Sequence, residues 1–238
     1  MCIDFLGQPS KIGFYMQGTL SIVATPIGNL EDITLRALRT LKEADAIFCE
    51  DTRVTSKLLS RYEIAGKTLV RADEASEEKA AQKAVALLED GKNIAYVSDA
   101  GTPGISDPGA RLVRRAREAG AQVVAIPGPS ALAAALSIAG ESTTEFLFLG
   151  FLPHKKGRQT ALKEIANEKR TVVLYESPHR ILKLLEELEP LGERTISIAR
   201  ELTKMHEEVL SGTAYELRMR LDTAGTARGE FVVIVHSR

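Results

Sequence analysis

The 238-residue chain has little cysteine, no tryptophan and no excess of charge of either sign. Its two cysteines, Cys2 and Cys49, form no Cys-x-x-Cys spacing, which argues against a disulfide framework or a zinc knuckle. The four histidines (His154, His179, His206 and His236) stand far apart and make no His-x-x-x-His pair, so no metal is expected. Lys plus Arg (31) nearly balances Asp plus Glu (32), which excludes a protein that grips nucleic acid by bulk charge. A nucleic-acid substrate would need a local basic surface instead. Aromatics make up 5% of the chain, too few for stacking along a single strand. No apolar run approaches the roughly 18–20 residues of a membrane span. Residues 1–13 lack the basic-then-apolar pattern of a secretory signal. No membrane partner is expected.

The common fingerprints of nucleotide and acyl chemistry are missing too. There is no Gly-x-Gly-x-x-Gly, which disfavours a dinucleotide fold. Gly66-Lys67-Thr68 ends like a phosphate loop, but Arg61 stands where its first glycine belongs, so it reads as a surface turn. No serine lies in a Gly-x-Ser-x-Gly elbow, which argues against an acyl hydrolase.

What the chain does have is a rhythm that starts near Thr19. Short apolar runs end in polar Gly/Pro-rich loops and are followed by helical patterns. Strands are expected at Leu20–Ala24, Ile47–Cys49, Ile94–Val97 and Val123–Ile126. Helices are expected around Leu35, Leu38 and Leu41, from an N-cap at Ser76 to about Glu89, around Leu112, Val113 and Ala116, and from Ser130 to Gly140. Strands separated by helices of this length imply an α/β fold, a parallel sheet with helices on both faces. The rhythm pauses at Leu152–Gly157, then resumes with strands at Val172–Tyr175, Ile196–Ala199 and Phe231–Val235. The reading is two α/β lobes, residues 19–150 and 151–238, behind a disordered N-terminal extension at 1–18.

Ligands of open α/β sheets bind outside the carboxyl ends of the strands, and the unusual loops lie there. The loop Asp99–Gly109 holds three glycines and two prolines in eleven residues. Glycines let the backbone approach a ligand, and prolines hold the loop's shape. Either alone could be a tight connection; with Pro127–Ser130 ending the neighbouring strand, a ligand crevice is the stronger reading.

Read together, the loops resemble a known family. Ala24–Leu30, Cys49-Glu50-Asp51-Thr52-Arg53, Ser98–Gly109, Pro127–Ala131, Gly150-Phe151-Leu152-Pro153, Tyr175-Glu176-Ser177-Pro178-His179-Arg180 and Ala199–Lys204 look, in order, like signatures of the tetrapyrrole-methylase superfamily. The set is similar to the RsmI-type branch, which 2′-O-methylates a cytidine ribose in 16S ribosomal RNA of the small subunit. Ala100-Gly101-Thr102-Pro103 departs from the Gly-Asp-Pro usual in the tetrapyrrole-modifying branch, which weakens the alternative of a tetrapyrrole small molecule as substrate.

The resemblance implies a cytoplasmic homodimer with a crevice for S-adenosyl-L-methionine (SAM) between its lobes and small-subunit ribosomal RNA as partner. It places the cofactor on Asp99, Ala100, Gly101, Thr102, Pro103, Gly104, Ile105 and Ser106, with Ser130, Ala131, Tyr175 and Ala199. A ribose hydroxyl is a poor nucleophile at neutral pH, so a proton acceptor should accompany attack. Glu50, Asp51, Glu176 and Glu201 are the acidic candidates, each of which could equally cap a helix or pair with a neighbouring arginine. Arg53 joins the catalytic set. Arg53, Arg180, Lys204, Lys155 and Lys156 are the candidates for RNA phosphate contacts. Arg111, Arg114, Arg115 and Arg117 read as a solvated helix face, three of which share one side.

Overall fold

The computed structural model describes residues 18–140 and 144–238, so the expected extension, apart from Gly18, lies outside the described residues. The chain divides into two compact units. One holds Asp32–Gly128 with the described residues before Ile27; the other holds Ile27–Glu31 and Pro129–Arg238. The break falls earlier than the pause near residue 150, because the strand before that pause belongs to the second sheet.

The first unit runs β1 (Thr19–Val23), α1 (Leu35–Glu43), β2 (Ala46–Cys49), α2 (Thr52–Arg61), β3 (Thr68–Arg71), α3 (Glu77–Glu89), β4 (Ile94–Val97), α4 (Ala110–Glu118) and β5 (Gln122–Ile126). Its five strands pair in the order β3-β2-β4-β1-β5, all parallel. Every residue of β2 and β4 is buried, because helices cover both faces of the sheet. Alternation divides the side chains between two cores. Leu20, Phe48 and Tyr96 pack with Leu88 and Leu112 of α3 and α4, while Val23, Ile47 and Val97 pack with Leu41, Leu58 and Leu59 of α1 and α2. Each such fully buried apolar side chain contributes about 1.5–3 kcal/mol.

Helix ends follow local chemistry. Thr34 caps α1 and Asp51 caps α2 through their side chains. Ser76 stands at the expected cap position of α3 but makes no side-chain cap; its hydroxyl turns to the Asp73 carboxylate instead. Lys67, in the Gly-Lys-Thr turn, donates to the carbonyl oxygen of Ala44 at 2.9 Å and also to that of Lys42, satisfying the carboxyl end of α1. The strand that follows it, β3, was not foreseen.

The second unit runs α5 (Ala131–Ile138), β6 (Phe146–Phe151), α6 (Arg158–Asn167), β7 (Thr171–Glu176), α7 (Ile181–Leu188), β8 (Ile196–Arg200), β9 (Glu208–Gly212), α8 (Ala214–Thr223) and β10 (Phe231–Val235). The strand order is β6-β7-β10-β8-β9, and only β6 and β7 are parallel. The expected α/β alternation thus gives a mixed sheet. The connection from β8 to β9 holds no helix and is too short for a crossover, so that pair must run antiparallel.

Candidate functional site

In the first unit the loops at the carboxyl ends of the strands are stitched together. Thr25 and Gly101 exchange both backbone hydrogen bonds, at 2.9 and 3.0 Å, and the Thr25 hydroxyl donates to the Ser98 carbonyl oxygen at 3.2 Å. The Asp99 carboxylate accepts the backbone N–H of Asp51 at 3.0 Å, joining the ends of β2 and β4. In return the Glu50 carboxylate accepts a hydrogen bond from the backbone of Asp99. Gly128 approaches β1 so closely that a Cβ there would lie 3.1 Å from the Ala24 methyl group.

The far end of the Asp99–Gly109 loop is pinned by a residue that sequence reading passed over. Glu77, at the start of α3, accepts N–H groups from Gly109 at 3.1 Å and Arg111 at 2.9 Å, and so caps α4 from another helix. Gly109 has φ of 121° and sits beside the Tyr96 ring, into which a Cβ would clash. No spacing rule connects Glu77 to a helix more than thirty residues later. Between these anchors the loop turns through Gly101, Gly104 and Ser106, all at positive φ. A Cβ on Gly104 would meet nothing within 4 Å, so the loop's middle presents its backbone to open space.

The electrostatics of this loop are acidic. Burial raises the Glu50 carboxyl above its ordinary range, and the charge of Asp99 adds to it. Burial also raises Asp99; the hydrogen bond from the Asp51 backbone opposes the rise, and the Asp51 charge adds to it. Asp107, which was not among the candidates, is pushed up to about 6 by burial and then by Glu50. The Tyr96 hydroxyl beneath them is fully buried, without a hydrogen-bond partner, and burial raises it as well. Such a site repels phosphate. It suits a ligand that is neutral or cationic where it meets the loop and can bond to backbone amides.

Asp51 and Arg53 satisfy each other. Asp51 takes the Arg53 backbone N–H at 2.8 Å and its guanidinium at 2.6–3.1 Å, and the Arg53 hydrogen bonds hold its carboxyl down to about 2. The Arg53 side chain is nonetheless 85% exposed, open to a further anion.

In the second unit Tyr175 and Ala199 stand on one face of the sheet, in one row with Val232. Phe148 and Phe151 flank the Tyr175 ring edge-on, at 5.0 and 5.6 Å between centroids. Glu176, one residue on, faces the opposite side in a row with Phe231 and Arg200. It is buried, takes the Ser177 N–H at 2.8 Å and sits 3.2 Å from the Arg180 guanidinium, an ion pair not aligned as a hydrogen bond. Glu176 therefore belongs with the fold of its own loop rather than with Tyr175 and Ala199.

Glu201 is engaged too. Burial raises its carboxyl, but Lys204 at 2.8 Å and the Glu230 N–H at 3.0 Å outweigh that and hold it low. Lys204 bridges Glu201 and Glu230, with the latter at 2.9 Å. Its stem lies over Gly28, and the Thr203 hydroxyl accepts the Asn29 N–H at 3.0 Å, so this loop holds the 27–31 segment on the second unit. Glu201 and Thr203 adopt φ of 51° and 65°, strained for non-glycine residues. Ser130 caps α5 with its own hydroxyl, and Ala131 begins that helix. Lys155 and Lys156 are exposed, whereas Arg180 is turned inward. Arg111 and Arg115 pair with Glu77, Glu78 and Glu118, as expected of a solvated face.

Among the described residues no cluster of three or more His, Cys, Asp or Glu could hold a metal ion. None of the described helices is long and apolar enough to cross a membrane.

Comparison with known proteins bears on this arrangement. The profile of the Tetrapyrrole (Corrin/Porphyrin) Methylases matches residues 19–218. The chain is 50% identical over 222 residues to ribosomal RNA small subunit methyltransferase I of Neisseria meningitidis serogroup B, covering 92% of this chain and 76% of that protein. It is 48% identical over 200 residues to the protein of the same name from Thermotoga maritima, covering 84% and 90%. Among solved structures, a cobalt precorrin-4 methyltransferase of cobalamin biosynthesis superposes with a TM-score of 0.66 at 19% identity, over 92% of this chain and 95% of that one. At that identity the likeness concerns the fold alone.

Proposed function

Because the chain belongs to the tetrapyrrole (corrin/porphyrin) methylase family, we propose that it transfers the methyl group of SAM to RNA of the small ribosomal subunit, at the 2′-oxygen of a cytidine ribose. The observation that carries the reading is the Asp99–Gly109 loop: glycine-opened, anchored at both ends, and lined by carboxylates rather than cations. The donor set fits SAM. Backbone groups around Gly104 are open to the hydrogen-bonding edges of an adenosine, and the acidic surroundings favour a sulfonium or ammonium charge over a phosphate. SAM, when bound, supplies an electrophilic methyl group that needs no metal.

The chain's residues have three tasks on this reading. Asp99 to Ser106 hold the cofactor, with Ser130, Ala131, Tyr175 and Ala199 as the second unit's candidates. The acceptor oxygen must lie in line with the bond that breaks, so positioning supplies much of the rate. Methylation of a ribose hydroxyl would release its proton, which a base of the chain would take up. Glu50 is the preferred acceptor among the candidates. Its raised carboxyl is better matched to a proton than Asp51, whose oxygens already serve Arg53, or Glu176 and Glu201, which hold their own loops. Arg53, with an exposed guanidinium, and the Lys155–Lys156 pair would meet RNA phosphates. The protein works in the cytoplasm as a homodimer on the same reading.

Incubating the protein with methyl-labelled SAM, offered small ribosomal subunits in one tube and a reduced tetrapyrrole in another, tests the proposal. Label in the RNA alone supports it. Label in the tetrapyrrole alone would move the substrate to the small-molecule branch.

A further inference from the structure

We propose that His154–Gly157 is a pre-positioned phosphate-contact loop, in which His154 adds a neutral donor to Lys155 and Lys156 while Arg158 and Arg180 act as positioning residues behind it. The inference rests on the RNA-methylation reading and names a contact surface for its substrate. Residues 153–157 are all exposed, yet the loop is held from beneath by two guanidiniums. Arg180 donates to the carbonyl oxygen of Leu152 at 2.6 Å and Arg158 donates to that of Pro153 at 3.1 Å, two successive carbonyls. Each guanidinium is itself fixed by a carboxylate from the adjoining secondary structure. Arg158 Nε lies 2.9 and 3.0 Å from the two oxygens of Glu187 on α7, and Arg180 lies 3.2 Å from Glu176 at the end of β7. The Arg158 side chain is only 6% exposed.

The ring of His154 is set by the same device. Arg180 Nη1 lies 3.2 Å from His154 Nε2. A guanidinium only donates, so Nε2 accepts and the ring proton resides on Nδ1, which remains as a donor. Gly157, at φ of 87°, starts α6, and the Arg158 N–H returns to the Lys155 carbonyl at 3.2 Å, closing the turn. An exposed loop needs no such bracing to be tolerated, and a flexible one would lose conformational entropy on gripping a phosphate. Bracing removes that loss. Arg180, which sequence reading took for a phosphate contact, acts one layer behind the surface.

The test compares wild type with K155A/K156A, H154A, R180Q and the conservative R158K, measuring the KM for small subunits, kcat, SAM affinity by calorimetry, and tryptic cleavage after Lys155 and Lys156. The expected result is a rise in KM of roughly tenfold for K155A/K156A and severalfold for H154A, with SAM affinity unchanged. R180Q, which also leaves the buried Glu176 carboxylate without its ion-pair partner, should lower the melting temperature, expose the loop to trypsin severalfold faster than other cleavage sites of the same variant, and raise KM in step, and R158K should fall between wild type and R180Q. KM values equal to wild type for K155A/K156A and H154A, or trypsin rates unmoved in R180Q, would overturn the inference while leaving the methyltransferase reading intact. Wild-type protein that binds SAM but methylates no subunit RNA would overturn both.

Discussion

The backbone N–H of Asp51 donates to Oδ1 of Asp99 at 3.0 Å, so a single carboxylate ties the loop after β2 to the loop after β4. Asp99 thereby holds the acidic candidates beside the glycine-opened loop. Replacing it with alanine leaves the Asp51 N–H without its partner and should destabilise the fold by about 1–3 kcal/mol. It should also weaken SAM binding by roughly tenfold, or about 1.4 kcal/mol. Asp99→Asn keeps an acceptor at the same place and should retain most of the stability. Calorimetric titration together with thermal melting of both variants separates the two effects.

Glu77 holds the other end of the loop through Gly109 and Arg111. Glu77→Ala should cost about 1–2 kcal/mol, the loss of a helix cap with two donors left open. Hydrogen exchange at the Gly109 and Arg111 amides should quicken more than at amides in β4. Equal protection in the variant would show that α4 is capped by other means.

Asp107 sets a pH dependence. Its carboxyl lies near 6 instead of the ordinary 3.8, first because it is buried and then because Glu50 is near. Between those values the unfolded chain releases the proton while the folded chain keeps it, so this group's contribution to stability falls as pH rises from about 4 and is gone above about 6 to 7. Asp107→Asn should flatten that part of the profile and stabilise the protein at pH 7 by on the order of 1 kcal/mol. Chemical denaturation at several pH values decides it; a variant whose profile parallels wild type would contradict the assignment.

Lys204 serves the fold on this account. It joins Glu201 to Glu230 and lies over Gly28, with Thr203 holding Asn29 beside it. Lys204→Met should lower stability by about 1 kcal/mol, since the pairs are partly exposed. The salt dependence of RNA binding should stay as in wild type. A slope reduced by about one would make Lys204 a phosphate contact after all.

The strands of the first unit were legible because β2 and β4 are short apolar runs bounded by turn residues, and its helices because Gly91 and Gly120 follow them at positive φ, as Gly140 follows α5 in the second unit. The strand β3 was hidden in Thr-Leu-Val-Arg, a half-exposed edge with too little alternation to register. The strand β6, Phe146–Phe151, ran into the signature Gly-Phe-Leu-Pro and was absorbed into the pause that follows it. The pairing sense of the second sheet depends on how connections cross, which periodicity does not report.

The site was legible at the level of loops and less so at the level of side chains. The glycine-rich loop announced itself through residue types that have a backbone purpose. Glu77 reaches Gly109 and Arg111, and Arg158 reaches Glu187, across sequence separations that only the fold closes; Asp107 lay within a quoted signature, but its burial beside Glu50 is likewise set by the fold. Conversely, Glu176 and Tyr175 are adjacent in one signature, yet the pleat sends them to opposite faces of the sheet.

The most direct test of the central claim is to map the modified nucleotide. Small ribosomal subunits lacking this activity would be treated with the protein and SAM, and their RNA subjected to partial alkaline hydrolysis, which cannot cleave beside a methylated 2′-oxygen. The account predicts one new gap in the ladder, at a cytidine, present with wild-type protein and markedly weaker with folded Asp99→Ala at SAM concentrations below that variant's Kd. A ladder without a gap, from protein shown to bind SAM, would contradict ribose methylation, and a gap that persists undiminished in Asp99→Ala would contradict the site.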